Sequence, residues 1–198
     1  MTTPPVLYSG VDASQPPGTL PAWHVDIICG YVGDASLPGP PDTPHIWTPA
    51  EWNTLYEQSG GRVRMLPIYV HNYPGDPKQD AANAVAAARA LGWAPNLAGT
   101  SRRIIALDLE TMVDRTYVAM LETYVWDAGF AAMPYGSNYY VLQNPPGVGY
   151  WVADLVTRAP RYLGAQVQGV QWQWGAVWDR SVFSQRVWDG CGVGPRHG

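Results

Sequence analysis

The segment from Arg102 to Thr111 is an apolar run that ends in two acids, Asp108 and Glu110, separated by a single leucine. Such a run is typical of a parallel strand that is covered on both faces. Side chains alternate along a strand, so the two acids face the same side. Two carboxyl groups at the end of a buried strand are costly to desolvate, so we expect them either to pair with a positive charge or to take part in catalysis. The pattern therefore predicts either a paired-acid site for glycoside hydrolysis or a strand-end ion pair with a nearby arginine. The arginines available for such a pair are Arg102, Arg103 and Arg115.

Short apolar runs alternate with helical patterns along the whole chain. The predicted strands span residues 6–12, 25–32, 62–70, 102–111, 130–135, 149–153 and 167–174, with a weaker one at 182–187. The predicted helices span residues 48–59, 76–91 and 114–127. Alternation of strand and helix indicates parallel βαβ units in an α/β fold. Seven or eight strands favour a small, irregular TIM-type (β/α) barrel, with a doubly wound open sheet as the alternative.

Composition limits the size and the partners of the fold. The chain has 198 residues, which suffices for one well-buried domain, and no shift in composition divides it. We therefore predict a single barrel domain over 1–198, with 1–5 and 191–198 as flexible tails. A net charge of −4 and the absence of a Lys/Arg cluster argue against nucleic acid and anionic membranes as partners.

The aromatic residues are unusually distributed, with 10 Trp and 12 Tyr against 2 Phe. Trp and Tyr combine a flat apolar face with a polar group, which suits the apolar faces and hydroxyl rims of sugar rings. A Trp-rich core would give the same composition, so both interpretations stay open here.

Cysteine content and hydropathy bear on the cellular location of the protein. Cys29 and Cys191 are too few for a disulfide framework, and Cys29 in its apolar run is predicted to be a buried free thiol. A bridge between the two cysteines is left open. No apolar run is long enough to span a bilayer, and residues 1–5 do not begin a signal peptide. We expect action at the cell wall if the protein is phage-delivered or virion-associated, and a cytoplasmic location otherwise.

Polar residues follow most of the predicted strands, which in a barrel places them at the rim that carries function. These residues are Asp12, Asp34, His71, Asn72, Tyr73, Asp108, Glu110, Tyr135 and Asp154. Their shared position favours a common site over a set of unrelated loop caps. The four histidines are far apart in sequence and form no paired motif, so we predict no metal and no cofactor.

Six short motifs occur in a consistent order. They are Gly10-Val11-Asp12-Ala13-Ser14, Asp108-Leu109-Glu110, Pro134-Tyr135-Gly136-Ser137, Trp151-Val152-Ala153, Trp172-Gln173-Trp174 and Asp179-Arg180-Ser181-Val182-Phe183. In this order the chain resembles the family 25 glycoside hydrolases, the lysozyme (muramidase) type of bacteria and phages. It is also similar to the related glycoside-hydrolase-like domains of actinobacteria and their phages. Three departures stand out: Ser181 replaces an asparagine, no Gln-Gly follows the first motif, and Asp154 stands where an aromatic or basic residue is common.

The resemblance implies a compact (β/α) barrel that hydrolyses peptidoglycan between N-acetylmuramic acid and N-acetylglucosamine. We assign Glu110 as the general acid, Asp108 as its ionised partner, and Asp12 as a residue that positions water or holds Asp108. The spacing of the two acids leaves retaining, inverting and substrate-assisted routes open. The predicted substrate-binding residues are Tyr135, Trp151, Trp174, Asp154, Asp179 and Asn72.

A second function class fits the same residues. The barrel could be a non-catalytic glycan-binding or structural module, for example a phage tail or cell-envelope component, with the acids as a hydrogen-bonded feature. Turnover of cell-wall glycan separates the two classes.

Overall fold

The computed structural model describes residues 5–34, 46–70, 75–95, 102–109, 114–137, 141, 147–153, 158–161 and 163–192. Eight strands form a closed barrel in which each strand pairs with its neighbours in chain order and the last pairs with the first. The strands are β1 (Leu7–Ala13), β2 (Ile27–Asp34), β3 (Arg64–Val70), β4 (Arg103–Asp108), β5 (Phe130–Ser137), β6 (Tyr150–Ala153), β7 (Val167–Gln173) and β8 (Asp179–Ser184). Closure rules out the open sheet that the sequence had left as the alternative.

The barrel is parallel from β1 to β7, but β8 runs antiparallel to both β7 and β1. This departs from the prediction of a uniformly parallel sheet with a final strand at 182–187. The physical reason is the short connection between β7 and β8. A parallel crossover needs a dozen or more residues, whereas antiparallel strands can be joined by a tight turn. The final strand therefore begins earlier than predicted, at Asp179, and ends at Ser184.

The described residues include four helices with defined bounds that flank the barrel, and local capping signals set where they begin. They are α1 (Pro49–Gln58), α2 (Pro77–Ala90), α3 (Arg115–Asp127) and α4 (Gln185–Gly190). The Thr48 side chain accepts from the backbone N–H of Glu51, whose carboxylate in turn accepts from Thr48 N–H, which completes a capping box. Asp76 caps α2 in a similar way. Between β5 and β8, Val141 is helical, and its neighbours at 138–140 and 142–146 lie outside the described residues.

The tryptophans serve both of the roles that the composition left open. Trp47, Trp52 and Trp151 are fully buried, and they belong to a core of apolar side chains inside the barrel and beneath its helices. Trp174 and Trp23 are exposed near one rim of the barrel, where they flank cavities. The Trp-rich composition therefore reflects core packing as well as an aromatic surface.

The C-terminal segment is partly docked. Cys191 is fully buried, and Gly192 exchanges two backbone hydrogen bonds with Met65, each 2.9 Å long. The prediction of a flexible tail starting at residue 191 is therefore wrong for these two residues, and residues 193–198 lie outside the described part. Cys29 and Cys191 are both buried free thiols, so no bridge joins them. Among the described helices, none is long and apolar enough to cross a membrane.

Candidate functional site

A cavity of about 540 Å³ opens at the carboxyl ends of the parallel strands. Because β8 is antiparallel, its first residue reaches the same rim as the last residues of the other strands. The polar side chains that line the cavity are Asp12, Ser14, Tyr31, Asp108, Tyr135, Ser137, Gln171 and Asp179. The volume lies in the range typical of small-molecule sites, and active sites of (β/α) barrels lie at this end.

Asp12 lies near the end of β1 and is 2% exposed. Its Oδ2 is 3.4 Å from the Tyr135 hydroxyl and 3.5 Å from Gln171 Nε2, while Oδ1 has no hydrogen-bond partner among the described residues. A buried ionised carboxylate normally accepts several short hydrogen bonds. The surroundings of Asp12 therefore favour a protonated carboxyl.

Asp108, the last residue of β4, is 2% exposed and lines the same cavity. Its Oδ2 accepts a hydrogen bond of 3.2 Å from the Tyr31 hydroxyl. Arg103 is five residues away at the other end of the strand, a distance of about 16 Å at 3.3 Å per residue, and it donates to the Cys191 carbonyl instead. Arg102 binds the Trp126 carbonyl. These two arginines are therefore not partners of Asp108.

Tyr135, Gln171 and Asp179 form a connected hydrogen-bond network. The Tyr135 hydroxyl donates to Gln171 Oε1 at 3.0 Å, and Gln171 Nε2 donates to Asp179 Oδ2 at 2.9 Å. The other oxygen of Asp179 accepts from the backbone N–H of Gly175 at 2.9 Å. A single phenolic hydrogen serves one strong acceptor at a time, and the shorter contact assigns it to Gln171. The Tyr135 hydroxyl is 3.4 Å from Asp12 Oδ2, so its contact with Asp12 is the longer and weaker of the two.

The electrostatics of the cavity agree with this assignment. Burial, and secondarily the nearby Asp179 carboxylate, raise the pKa of Asp12 well above its ordinary value. Burial also raises the pKa of Asp179, although the hydrogen bonds from Gly175 and Gln171 oppose this effect. When two buried carboxyl groups lie close together, ionisation of one disfavours ionisation of the other. One of them can therefore keep its proton at a higher pH than an isolated carboxyl group. The cavity can therefore present a neutral carboxyl and an anionic one close together.

The aromatic residues predicted to bind sugar have different positions. Trp174 is 63% exposed on the cavity rim, which leaves its ring free to contact a ligand. Trp151 is 0% exposed and lies beneath the cavity, stacked on Tyr135 with ring centroids 3.8 Å apart. Its indole N–H donates to Ser181 at 3.2 Å. Trp151 therefore supports the Tyr135 ring and offers no surface on which a sugar could stack.

Three of the predicted site residues cannot be placed. Glu110, Asn72 and Asp154 lie outside the described residues, and so do His71 and Tyr73. The structure thus brings together Asp12, Asp108, Tyr135, Trp174 and Asp179 around one cavity, and the assignment of a general acid to Glu110 stays a prediction.

Two residues of the site, Tyr31 and Gln171, are not among those predicted from the sequence. Tyr31 in β2 holds Asp108, and Gln171 in β7 links Tyr135 to Asp179. Tyr31 lies in an apolar run with no polar neighbour that would draw attention to it. Gln171 alternates with Trp172, and the sequence does not reveal which of the two faces inward. In the described part of the chain, no three His, Cys, Asp or Glu side chains are grouped as a metal site.

Comparison with known proteins gives a likeness in fold. No family model matches the chain, and no curated protein sequence matches it. An uncharacterised protein of B. stearothermophilus, solved at 1.07 Å, superposes with a TM-score of 0.68 and 19% identity over 93% of this chain and 99% of that one. The modular autolysin LytC from Streptococcus pneumoniae, solved in complex with a synthetic peptidoglycan ligand, superposes with a TM-score of 0.57 and 15% identity. That match covers 89% of this chain and 46% of LytC. At these identities, the chain shares its fold with both proteins.

Proposed function

We propose that this protein is a TIM-type glycoside hydrolase that cleaves the glycan of bacterial peptidoglycan by paired-carboxylate acid catalysis. One observation carries the proposal: the carboxyl groups of Asp12, Asp108 and Asp179 line a single cavity at the carboxyl ends of the barrel strands. Glycoside hydrolysis needs one protonated and one ionised carboxyl around the scissile bond. Burial and a neighbouring acid supply the conditions for that difference.

The division of labour follows from the contacts. Asp108, held by the Tyr31 hydroxyl, is the ionised group that stabilises positive charge at the sugar or orients its acetamido group. Glu110, two residues further along the chain, is the general acid that protonates the leaving oxygen. Asp12, whose pKa is raised by burial and by Asp179, keeps its proton beside Tyr135 and holds the floor of the cavity neutral. Asp179 anchors the network that fixes Tyr135.

The choice of substrate has two supports. The motif order resembles family 25 glycoside hydrolases, and one neighbour in fold is an autolysin whose solved structure holds a peptidoglycan ligand. The exposed Trp174 ring at the cavity rim provides a flat apolar face, which suits the C–H face of an N-acetylated sugar. We therefore take the glycan strand of peptidoglycan as the partner, without a metal or other cofactor.

Release of reducing ends from purified peptidoglycan tests the proposal. We expect Asp108→Asn and Glu110→Gln each to lower the rate by about 100-fold or more, in line with the usual contribution of acid–base groups. Asp127→Asn, which changes an exposed carboxyl at the end of α3, is the matched control and should keep full activity. Unchanged rates in both Asp108→Asn and Glu110→Gln would refute the catalytic assignment. Binding of glycan by the unaltered protein without turnover would instead identify a glycan-binding module.

A further inference from the structure

A second cavity of about 340 Å³ adjoins the first one. The two cavities share a wall, formed by Gly175, Ala176 and Val177 in the turn between β7 and β8. The lining of the second cavity includes Trp23 and Arg180. A ligand seated in the acidic cavity can therefore extend across this turn into the second one.

The second cavity has the opposite electrostatic character. Arg180 is the one cationic residue among those that line either cavity in the described structure. Its guanidinium lies over the Trp23 ring at 3.9 Å from the centroid and 5.8 Å from that of Trp172. Within the described residues the guanidinium makes no hydrogen bond and no ion pair, although acids outnumber bases in the chain by 16 to 12. An arginine that packs on an aromatic ring beside a ligand cavity, without a partner in the described structure, is suited to bind an anionic group of a ligand.

The shape of the guanidinium limits which anions fit. A guanidinium over an aromatic ring is held in place by cation–π attraction, and its planar N–H donors stay available at its edges. Those donors match the two oxygens of a carboxylate, and the contact is both bidentate and charge-assisted. In peptidoglycan the lactyl carboxyl of N-acetylmuramic acid forms the amide bond to the peptide stem, so the free carboxylates of a stem-bearing glycan lie on the stem. A stem carboxylate is thus the group that would reach this arginine from a glycan in the first cavity.

We propose that Arg180 and Trp23 form a subsite for the peptide-stem carboxylate of a muropeptide, next to the glycan site. This subsite rests on the proposed function for its substrate class. It makes the protein selective for stems that carry a free carboxylate over stems in which this group is amidated.

The test compares N-acetylmuramoyl-L-alanyl-D-isoglutamine with its analogue in which the one free carboxylate is replaced by a carboxamide. Calorimetric titration measures both affinities, and the Arg180 Nε–H and Trp23 indole N–H resonances report the location. We expect about tenfold tighter binding of the acid, shifts of both resonances, and loss of the preference in Arg180→Ala. Arg64→Ala is the matched control, because Arg64 lies over Trp188 in a similar cation–π contact at the opposite end of the barrel.

Equal affinities for the acid and the amide, or no shift of the Arg180 resonance, would overturn the subsite. The comparison in the unaltered protein decides this even if Arg180→Ala fails to fold. Hydrolysis separates the two proposals. A protein that prefers the acid but never cleaves glycan refutes the proposed reaction alone, whereas one that cleaves glycan without preferring the acid refutes the subsite alone.

Discussion

Glu122 in α3 gives a quantitative test of the electrostatics, away from the site. It lines a separate cavity of about 380 Å³ with Trp126 and Gly147. Its Oε1 is buried and has no hydrogen-bond partner among the described residues. Burial raises the pKa of Glu122 from its ordinary 4.5 to about 8. Glu122→Gln keeps the size and hydrogen-bonding shape of the neutral acid and removes its ionisation.

The sign and the size of the effect follow from proton linkage. Between pH 4.5 and 8 the folded state holds a proton on Glu122 that the unfolded chain has lost, so stability decreases as the pH rises through this window. One proton corresponds to about 1.36 kcal/mol per pH unit. The two pKa values differ by about 3.5 units, which sets a ceiling of about 4.8 kcal/mol. Glu122 is partly exposed, and solvent screening reduces this figure to about 1–3 kcal/mol.

Urea unfolding, followed by tryptophan fluorescence from pH 4.5 to 9, measures the difference. We expect equal stabilities near pH 4.5 and a Glu122→Gln variant more stable by about 1–3 kcal/mol at pH 9. The raised pKa values of Asp12 and Asp179 act in both proteins and cancel in this difference. Asp127→Asn, at an exposed position in α3, should follow the unaltered protein throughout. A constant offset of Glu122→Gln at every pH would refute the reasoning, because the charge would then have no part in it.

Two further perturbations test the network and the packing. Gln171→Leu removes the amide between the Tyr135 phenol and the Asp179 carboxylate. We expect a cost of about 2–4 kcal/mol in urea unfolding, since Tyr135 stays buried and Asp179 half-buried without this partner. A loss below about 0.5 kcal/mol, on the order of a surface change, would show that water replaces the amide. Gly10→Ala places a methyl group 2.2 Å from a ring carbon of Phe183, and we expect a loss of about 1–3 kcal/mol. Gly164→Ala, with open space around it, is the control, and equal stability of the two alanine variants would contradict the packing argument.

The elements that the sequence predicts well are those defined by local signals. The capping residues Thr48 and Asp76 start their helices in the structure as the sequence indicates, because a cap depends only on the next few residues. The direction of β8 depends instead on a turn whose length the apolar pattern does not reveal. The same holds for β7, where a bulge between Gln171 and Gln173 interrupts the simple alternation of faces. Periodicity alone therefore could not assign the faces of the tryptophans there.

The residues of the candidate site likewise fall into those that local pattern predicts and those that it does not. Strand ends locate Asp12 and Asp108 on the rim, because alternation and barrel geometry together determine where such side chains point. Tyr31 and Gln171 are defined by partners on other strands, which no local pattern contains. Trp151 illustrates the opposite error: its motif position suggested a binding surface, whereas its neighbours across the barrel bury it completely.

The antiparallel direction of β8 links the fold to the chemistry of the cavity. A parallel final strand would place its first residue at the opposite end of the barrel, far from the rim. In the observed register, Asp179 lies directly opposite Asp12 on the neighbouring strand. Side chains opposite each other in an antiparallel pair have Cβ atoms about 4.5–5.5 Å apart, close enough for each carboxyl to oppose ionisation of the other. The tight turn after β7 thus has an electrostatic consequence, because it brings to Asp12 the carboxylate that helps to keep it protonated.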